Sequence, residues 1–163
     1  YNHRIQKWIP GAIEGITIAG GKQAGNKADQ LRYPSSVKIG KDGNLYIADA
    51  ANDRVQLWLK DAKEGVTVAG GKRGTGADQL YFPTDIAIND KGDLFIADET
   101  NQRIQRWNKG AKQGVTVAGG NGLGKGMNQF SYPYGLFIDA QENIYVADQY
   151  NHRVQLFRNP EAD

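Results

Sequence analysis

Several residue types are scarce or missing in this 163-residue chain, which has no cysteine, one methionine, five prolines and no long apolar run. The absence of cysteine excludes a disulfide framework. A membrane-spanning helix needs about 20 consecutive apolar residues, so the sequence predicts no transmembrane segment and no membrane partner. Lys and Arg total 20 against 18 Asp and Glu, a balance without a strong nucleic-acid or membrane signal. No secretory leader is recognisable, and the first residue, Tyr1, suggests a processed chain or a fragment.

The dominant feature that is present is a seven-residue stretch that occurs four times. Each copy begins with Asn, carries Arg two positions later, continues with Ile or Val followed by Gln, and ends in Trp or Phe. The copies occupy residues 2–8, 52–58, 101–107 and 151–157, with steps of 50, 49 and 50 residues. A nearly fixed period of this length is typical of repeat architectures such as solenoids and propellers.

Each period also contains other short apolar runs with the composition of β-strands. The run after the Asn-X-Arg stretch has β-branched residues between glycines, at 15–21, 65–71 and 114–120, as expected of strands. A run after an aromatic–proline pair comes next, and a tight turn joins it to a run that ends in Ala-Asp. No segment has helical periodicity of useful length. Four short strands in a period of about 50 residues fit one β-propeller blade.

Taken together, these motifs resemble the NHL repeat. The resemblance rests on the proline before an apolar strand, the Leu-Tyr-Ile-Ala-Asp strand and the following Asn-X-Arg stretch, as in residues 34–56. It covers essentially the whole chain and implies an all-β fold, a β-propeller of four-stranded antiparallel NHL-type blades, about three per chain, with strand A innermost and strand D outermost. It also implies one propeller segment over residues 1–163, with strands C and D in 1–21, blades in 34–71 and 83–120, and strands A to C of a last blade in 133–158.

An acid, an amide and a guanidinium recur at fixed spacing in three of the repeats. The Asp lies three residues before the Asn and five before the Arg. Asp accepts hydrogen bonds at turns, and Arg pairs with carboxylates through a forked, charge-assisted contact. Because one such set occurs in each blade, we interpret it as scaffold rather than as metal ligands or catalytic acids. The set comprises Asp49, Asn52, Arg54, Asp98, Asn101, Arg103, Asp148, Asn151 and Arg153.

One aromatic residue ends each copy of the Asn-X-Arg stretch, at Trp8, Trp58, Trp107 and Phe157. Such a stripe could stack on bases or sugars. The repetition favours packing in the interior, where large apolar side chains mostly lie. We therefore predict that these four side chains lie between neighbouring blades.

The sequence offers little for catalysis or metal binding. His3 and His152 are the only histidines and lie far apart in the chain, whereas a zinc site needs three or four converging ligands. The peptidyl-hydroxyglycine amidating lyases, which have a similar propeller, use a histidine-bound metal, and this sequence departs from that pattern. The segment 119–126 is a near miss for a phosphate loop, with Gly126 in place of the hydroxyl residue and no helix expected after it. We predict a non-enzyme without catalytic residues, metal site or cofactor, and rank an amidating-lyase-like activity third among the functional hypotheses.

The long connections between strands D and A, together with the corners between strands B and C, are expected to form one end of the propeller. Loops on a rigid scaffold carry binding, and these loops are mildly basic and aromatic. The preferred function is a scaffold or protein-binding module, and the alternative is single-stranded RNA binding, in which bases stack on aromatics near Lys and Arg. The candidate ligand-binding residues are Lys22, Lys27, Arg32, Tyr33, Lys72, Arg73, Tyr81, Lys125, Phe130 and Tyr134.

Three repeat periods make half of the six-bladed ring that NHL propellers usually form. A second copy related by a two-fold axis would cover the open ends, so we predict a homodimer in which the last blade takes strand D from the other copy. The alternative partner is the missing blades of a longer chain. The predicted strands number thirteen per chain, one more than three blades hold, because residues 1–8 and 150–157 are near copies that compete for one position. We predict that one of the two is displaced, more readily a terminus that can fray.

Overall fold

The computed structural model describes residues 1–161, and within them the chain forms thirteen β-strands and three short 3-10 turns. No helix in this described part is long and apolar enough to cross a membrane. The strands are β1 (Arg4–Lys7), β2 (Ile16–Gly20), β3 (Pro34–Ile39), β4 (Leu45–Asp49), β5 (Arg54–Trp58), β6 (Val66–Gly70), β7 (Pro83–Ile88), β8 (Leu94–Asp98), β9 (Arg103–Trp107), β10 (Val115–Gly119), β11 (Pro133–Ile138), β12 (Ile144–Asp148) and β13 (Arg153–Phe157). The 3-10 turns span Ala50–Asn52, Glu99–Asn101 and Gln149–Asn151.

The strands form four antiparallel sheets, each made of strands that are consecutive in the chain. We call them the N-terminal sheet (β1–β2), the first full blade (β3–β6), the second full blade (β7–β10) and the C-terminal sheet (β11–β13). The register repeats from sheet to sheet: Ile5 faces Ala19 in the N-terminal sheet as Val55 faces Ala69 in the first full blade. The predicted all-β fold of four-stranded antiparallel blades, about three per chain, is confirmed.

A residue in the left-handed conformation ends each 3-10 turn. Asp53, Gln102 and His152 have φ angles of 53°, 54° and 52°, and the backbone N–H of each bonds to the carbonyl of the first residue of its turn. Asp and His are among the residues enriched in this conformation. His3 has a φ of 47° at the equivalent position. All four Asn-X-Arg copies therefore have the same backbone conformation where β1, β5, β9 and β13 begin.

Hydrophobic side chains fill the interfaces between successive sheets. Trp58 packs in one cluster with Ala19, so it lies between the first full blade and the N-terminal sheet. Trp107 packs in another cluster with Ala69, between the two full blades. Both tryptophans are 3% exposed. The aromatic that ends the third strand of a sheet therefore packs onto the sheet that precedes it in the chain.

Trp8 departs from this pattern. Its side chain is 58% exposed, because within residues 1–161 no sheet precedes the N-terminal sheet. The prediction that all four aromatics lie between blades is wrong at this position.

The innermost strands of the sheets lie side by side. β3 contacts β7, and β7 contacts β11. Asp85 on β7 accepts hydrogen bonds from the hydroxyl of Ser36 at 2.6 Å and from the backbone N–H of Leu136 at 2.9 Å. A single carboxylate thus links β3, β7 and β11, the innermost strands of three successive sheets.

Candidate functional site

The acid of each Asp-Asn-Arg set is fully buried and has at least three hydrogen-bond donors. Asp98 accepts from the backbone N–H of Tyr81 at 2.7 Å, from Asn101 Nδ2 at 2.8 Å and from Arg103 Nε at 2.7 Å. Asp49 and Asp148 accept from the equivalent groups. The carboxylate therefore ties the connection before the blade, the 3-10 turn and the third strand together.

The Arg of each set anchors the long connection between strands D and A. In Arg103, one terminal nitrogen donates to the carbonyl of Thr75 at 2.8 Å and the other to those of Gly76 and Gln79 at 2.9 Å. The predicted forked ion pair is wrong, because only Nε reaches the acid while the second carboxylate oxygen binds a backbone N–H. The set thus shapes the candidate binding loops and presents no free acid to a ligand.

The acids differ in their protonation behaviour. Burial raises the pKa of Asp49 and of Asp98 in spite of their donors. Burial acts in the same direction on Asp148, but the donors around it outweigh burial and the pKa is lowered. The side chain of Arg153 is 28% exposed, against 9% for Arg103, so the acid set of the C-terminal sheet is the more open one.

A second repeated contact joins each sheet to the next at this end of the molecule. The residue between Asn and Arg accepts a hydrogen bond from the backbone N–H of the aromatic residue before the proline of the following sheet. The three pairs are His3–Tyr33 at 3.1 Å, Asp53–Phe82 at 2.9 Å and Gln102–Tyr132 at 2.7 Å. His152 occupies this position in the C-terminal sheet, which has no following sheet within residues 1–161.

The predicted basic residues divide into paired and unpaired groups. Lys22 forms an ion pair with Asp29. Arg73 binds Asp53 at 2.9 Å and lies 4.6 Å from the ring centre of Tyr81. The other four are exposed and make no ion pair with any residue of 1–161, namely Lys27, Arg32, Lys72 and Lys125.

The predicted aromatics also divide. Tyr33 and Tyr134 are 41% and 51% exposed and are accessible to a ligand. Phe130 is 0% exposed and lies in the core between the second full blade and the C-terminal sheet. Its assignment to the ligand-binding face is therefore wrong. The repeat contained the signal, because Leu31 and Leu80 are the residues at the equivalent position and both are also fully buried.

An open cleft next to β1 contains residues that the sequence did not single out. It lies where the first residues of the chain meet the inner strands of the two full blades and of the C-terminal sheet. Its lining includes Tyr1, Asn2, His3, Arg4, Tyr33, Phe82, Thr84 and Tyr134. The aromatic that precedes each proline was the available signal, since Tyr33 and Phe82 both occupy that position.

The arrangement contains few groups for chemistry. No three His, Cys, Asp or Glu side chains within residues 1–161 lie close enough together to hold a metal ion. The near phosphate loop at 119–126 continues into bends and an isolated bridge between Leu123 and Phe130, and no helix begins there. The accessible features of this end are cations, aromatic rings, backbone groups and the exposed acid Asp78.

Comparison with known proteins relates these repeats to a family and the fold to solved structures. A family model described as NHL repeat matches residues 80–107 and 130–157. No curated protein sequence matches the chain. A structural genomics protein of unknown function from Bacteroides thetaiotaomicron is similar, with a TM-score of 0.76 and 16% identity over 96% of this chain and 42% of its own. An auxiliary nutrient binding protein from the same species has a TM-score of 0.68 and 18% identity over 94% of this chain and 42% of its own.

A third similar structure is a catalytically inactive virginiamycin B lyase from Staphylococcus aureus with quinupristin. Its TM-score is 0.55 at 15% identity, over 91% of this chain and 47% of its own. The chain thus spans less than half the length of each of these three structures. At such identities the similarity concerns the fold alone. The chain thus contains two segments that match the NHL repeat and has the fold of a β-propeller segment.

Proposed function

We propose that this chain is a non-enzymatic binding module that forms half of a six-bladed NHL propeller and closes the ring with a second copy of itself. The observation that carries the proposal is the exposure, at the chain ends, of side chains whose internal counterparts are buried. Val154 on β13 is 70% exposed, whereas Val55 and Ile104 at the equivalent positions of β5 and β9 are 0% exposed.

The opposite end of the chain has a matching surface. Val37 on β3 is 39% exposed, whereas its counterpart Ile86 on β7 is fully buried. Inside the chain these two kinds of surface pack against each other, since Val55 and Ile86 belong to the same hydrophobic cluster. Val154 of one copy and Val37 of another are therefore complementary in the same way.

The second copy is the occupant that fits both ends at once. The two exposed surfaces match each other, so two chains cover all four open ends without a further partner. Two copies also have nearly the size of one of the similar structures, of which this chain covers 42%. Burial of the apolar ends removes an exposed patch and two open sheet edges, which favour aggregation when left uncovered.

Light scattering after size exclusion tests the assembly. The expected result is a particle of twice the 17.9 kDa chain mass, stable on dilution to low micromolar concentration. A folded monomer near 17.9 kDa would contradict the dimer. In that case the ends would be left for the blades of a longer chain.

We assign ligand binding to the end formed by the D-to-A connections and the 3-10 turns. With the two-fold axis along the propeller axis, this end of both copies lies on one side of the ring. The predicted residues that are exposed and form no ion pair within residues 1–161 are Lys27, Arg32, Tyr33, Lys72, Lys125 and Tyr134. A protein partner with acidic groups fits this combination of unpaired cations and aromatic rings.

Single-stranded RNA is the second candidate ligand, favoured by the exposed ring of Tyr33 directly beside the unpaired Arg32. Stacking on an aromatic next to cations is the chemistry of such binding. A salt titration with a random RNA pool tests it: affinity that falls steeply with salt supports RNA, and no binding at low salt removes it. Lys27→Glu should weaken binding, whereas Lys91→Glu should not, because the exposed Lys91 lies in the turn between β7 and β8, at the opposite end of β8 from the 3-10 turn.

A further inference from the structure

We infer that, in the proposed dimer, β13 of each copy replaces β1 of the other, so that the cleft next to β1 is built from both copies. This inference rests on the proposed dimer. Thirteen strands in residues 1–161 exceed the twelve that three four-stranded blades hold, so one strand per copy has to leave the ring. β1 and β13 are the candidates, because both are third-strand copies and each has a partner strand on one side only, β2 and β12 respectively.

β13 is held in its sheet by contacts that β1 lacks. Arg153 donates from Nε to Asp148 at 2.8 Å, and its terminal nitrogens donate to backbone carbonyls of the preceding loop. Gln155 Nε2 lies 3.2 Å from the same carboxylate. Asp148 is 0% exposed, so withdrawal of β13 would leave a buried acid without its guanidinium. Arg4 is the equivalent residue of β1, and it is exposed and has no acid partner within residues 1–161.

The two competing segments begin with the same four residues. Residues 1–4 and 150–153 both read Tyr-Asn-His-Arg, whereas the internal copies read Ala-Asn-Asp-Arg at 51–54 and Thr-Asn-Gln-Arg at 100–103. The hydrogen bond from the backbone N–H of Tyr33 to His3 Nδ1, at 3.1 Å, is therefore one that His152 of the partner subunit can make with the same atom.

The apolar contacts are also interchangeable. Ile5 faces Ala19 and packs with the cluster that contains Trp58. Val55 holds the equivalent place beside Ala69 and Trp107. After exchange, Val154 of the partner subunit occupies the place of Ile5. The most exposed side chain of β13 is then covered, and the free edge of β13 gains β2 as its fourth strand.

The exchange changes which copy supplies one part of the candidate binding cleft. In a single copy, residues 1–4 line the cleft together with Phe82, Thr84 and Tyr134. In the exchanged dimer, residues 150–153 of the partner subunit take the place of residues 1–4 in this lining. Each ring then holds two such clefts, and each cleft contains residues of both copies.

Cysteine cross-linking tests the exchange, because the natural chain contains no cysteine. Leu57 faces Val66 across β5 and β6, so the exchanged register brings Leu156 of one copy opposite Ile16 of the other. In a single copy, Lys7 faces Ile16 instead. Directly opposed residues have Cβ atoms about 4.5–5.5 Å apart, within reach of an oxidant or a short bis-maleimide. Ile16 and Leu156 are 55% and 43% exposed, so neither substitution removes a core side chain.

A mixture of Ile16→Cys chains with Leu156→Cys chains should give a covalent dimer on a non-reducing gel, and neither variant alone should. Lys7→Cys combined with Ile16→Cys should stay unlinked within the chain. The pair Leu57→Cys with Val66→Cys, already opposed in one chain, is the positive control. The exchange would be contradicted if the Lys7→Cys, Ile16→Cys double variant forms a disulfide within one chain while the mixture of Ile16→Cys and Leu156→Cys chains gives no covalent dimer.

The reverse exchange has its own signature. If β13 left and β1 of the partner subunit bound β12, Lys7 would face Tyr145, since Tyr46 faces Leu57 in the first full blade. A covalent dimer from Lys7→Cys mixed with Tyr145→Cys would therefore also overturn the inference. Light scattering on the natural chain separates these outcomes from failure of the dimer, because either register of exchange needs a dimer and a monomer excludes both.

Discussion

Substitution of Asp98 by Ala is the most direct test of whether the repeated acid holds the fold. Asp98 is 0% exposed and accepts from the backbone N–H of Tyr81, from Asn101 and from Arg103. The substitution leaves the guanidinium of Arg103, whose side chain is 9% exposed, without a counter-charge. Removal of one member of a buried ion pair costs about 3–5 kcal/mol. Since domains have roughly 5–15 kcal/mol of stability in total, we expect a large part of it to be lost.

Urea unfolding followed by tryptophan fluorescence measures this loss, because Trp58 and Trp107 are buried. The protein concentration has to be equal for all variants, since assembly contributes to apparent stability. Asp148→Ala should cost less, about 1–3 kcal/mol, because water reaches Arg153, whose side chain is 28% exposed. Asp78→Ala, at an exposed loop position, should change stability by about 0.5 kcal/mol or less. If Asp98→Ala unfolds at the same urea concentration as Asp78→Ala, the acid does not hold the fold.

Three further predictions follow from the same contacts. Val154→Asp should raise the dimer dissociation constant roughly 100-fold or more, since burial of a Val side chain is worth about 1.5–3 kcal/mol at each of two interfaces. Val66 lies on the outer strand β6 and is 61% exposed. Val66→Asp should therefore leave the mass from light scattering unchanged. Gly119→Ala should lower the free energy of unfolding in urea by about 2–4 kcal/mol, because the new Cβ meets Phe130 and the Gln102 carbonyl at a φ of +69°. Gly110 has a φ of +78° but open space around it, so Gly110→Ala should lower the free energy of unfolding by only about 1 kcal/mol, from backbone strain. The pKa of Asp148 in the folded chain lies below its ordinary value of 3.8. The unfolded state therefore binds more protons near that pH, and stability falls as the pH falls. The difference in unfolding free energy between the natural chain and Asp148→Asn should be constant above pH about 5 and should become smaller below pH about 4.

The fold was predictable from the sequence because the chain repeats its own strand pattern. Each period carries the same glycine-bounded run, the same Asn-X-Arg turn and the same proline before the inner strand. Local strand propensity and turn chemistry agree in every copy, which is the condition for confident inference from sequence. The register between β1 and β2 repeats that between β5 and β6 for the same reason.

The site was less predictable because exposure depends on the neighbouring sheet rather than on the repeat position. Trp8 and Trp58 occupy one repeat position, yet they are 58% and 3% exposed, since within residues 1–161 only Trp58 has a preceding sheet to pack against. Arg103 has more carbonyl partners than carboxylate partners, because the loop that it anchors folds back over the turn. Such tertiary contacts join residues more than twenty positions apart, so the spacing of neighbouring residues in the sequence does not predict them.

The geometry of a three-blade chain limits the rings that it can form. The proposed contact is between two different surfaces, Val154 on one end and Val37 on the other, and such head-to-tail contacts give either a closed ring or an open filament. Propellers have about 4–8 blades, and six is the only multiple of three in that range. Three blades of a six-bladed ring turn the chain through roughly half a circle, so the second copy closes the ring with the same contact and leaves no end free to recruit a third. If each blade instead turned by the angle of a five- or seven-bladed ring, whole chains would not close, and light scattering would detect larger polymers in place of the dimer. The mass distribution of the natural chain therefore reports the rotation per blade as well as the number of copies.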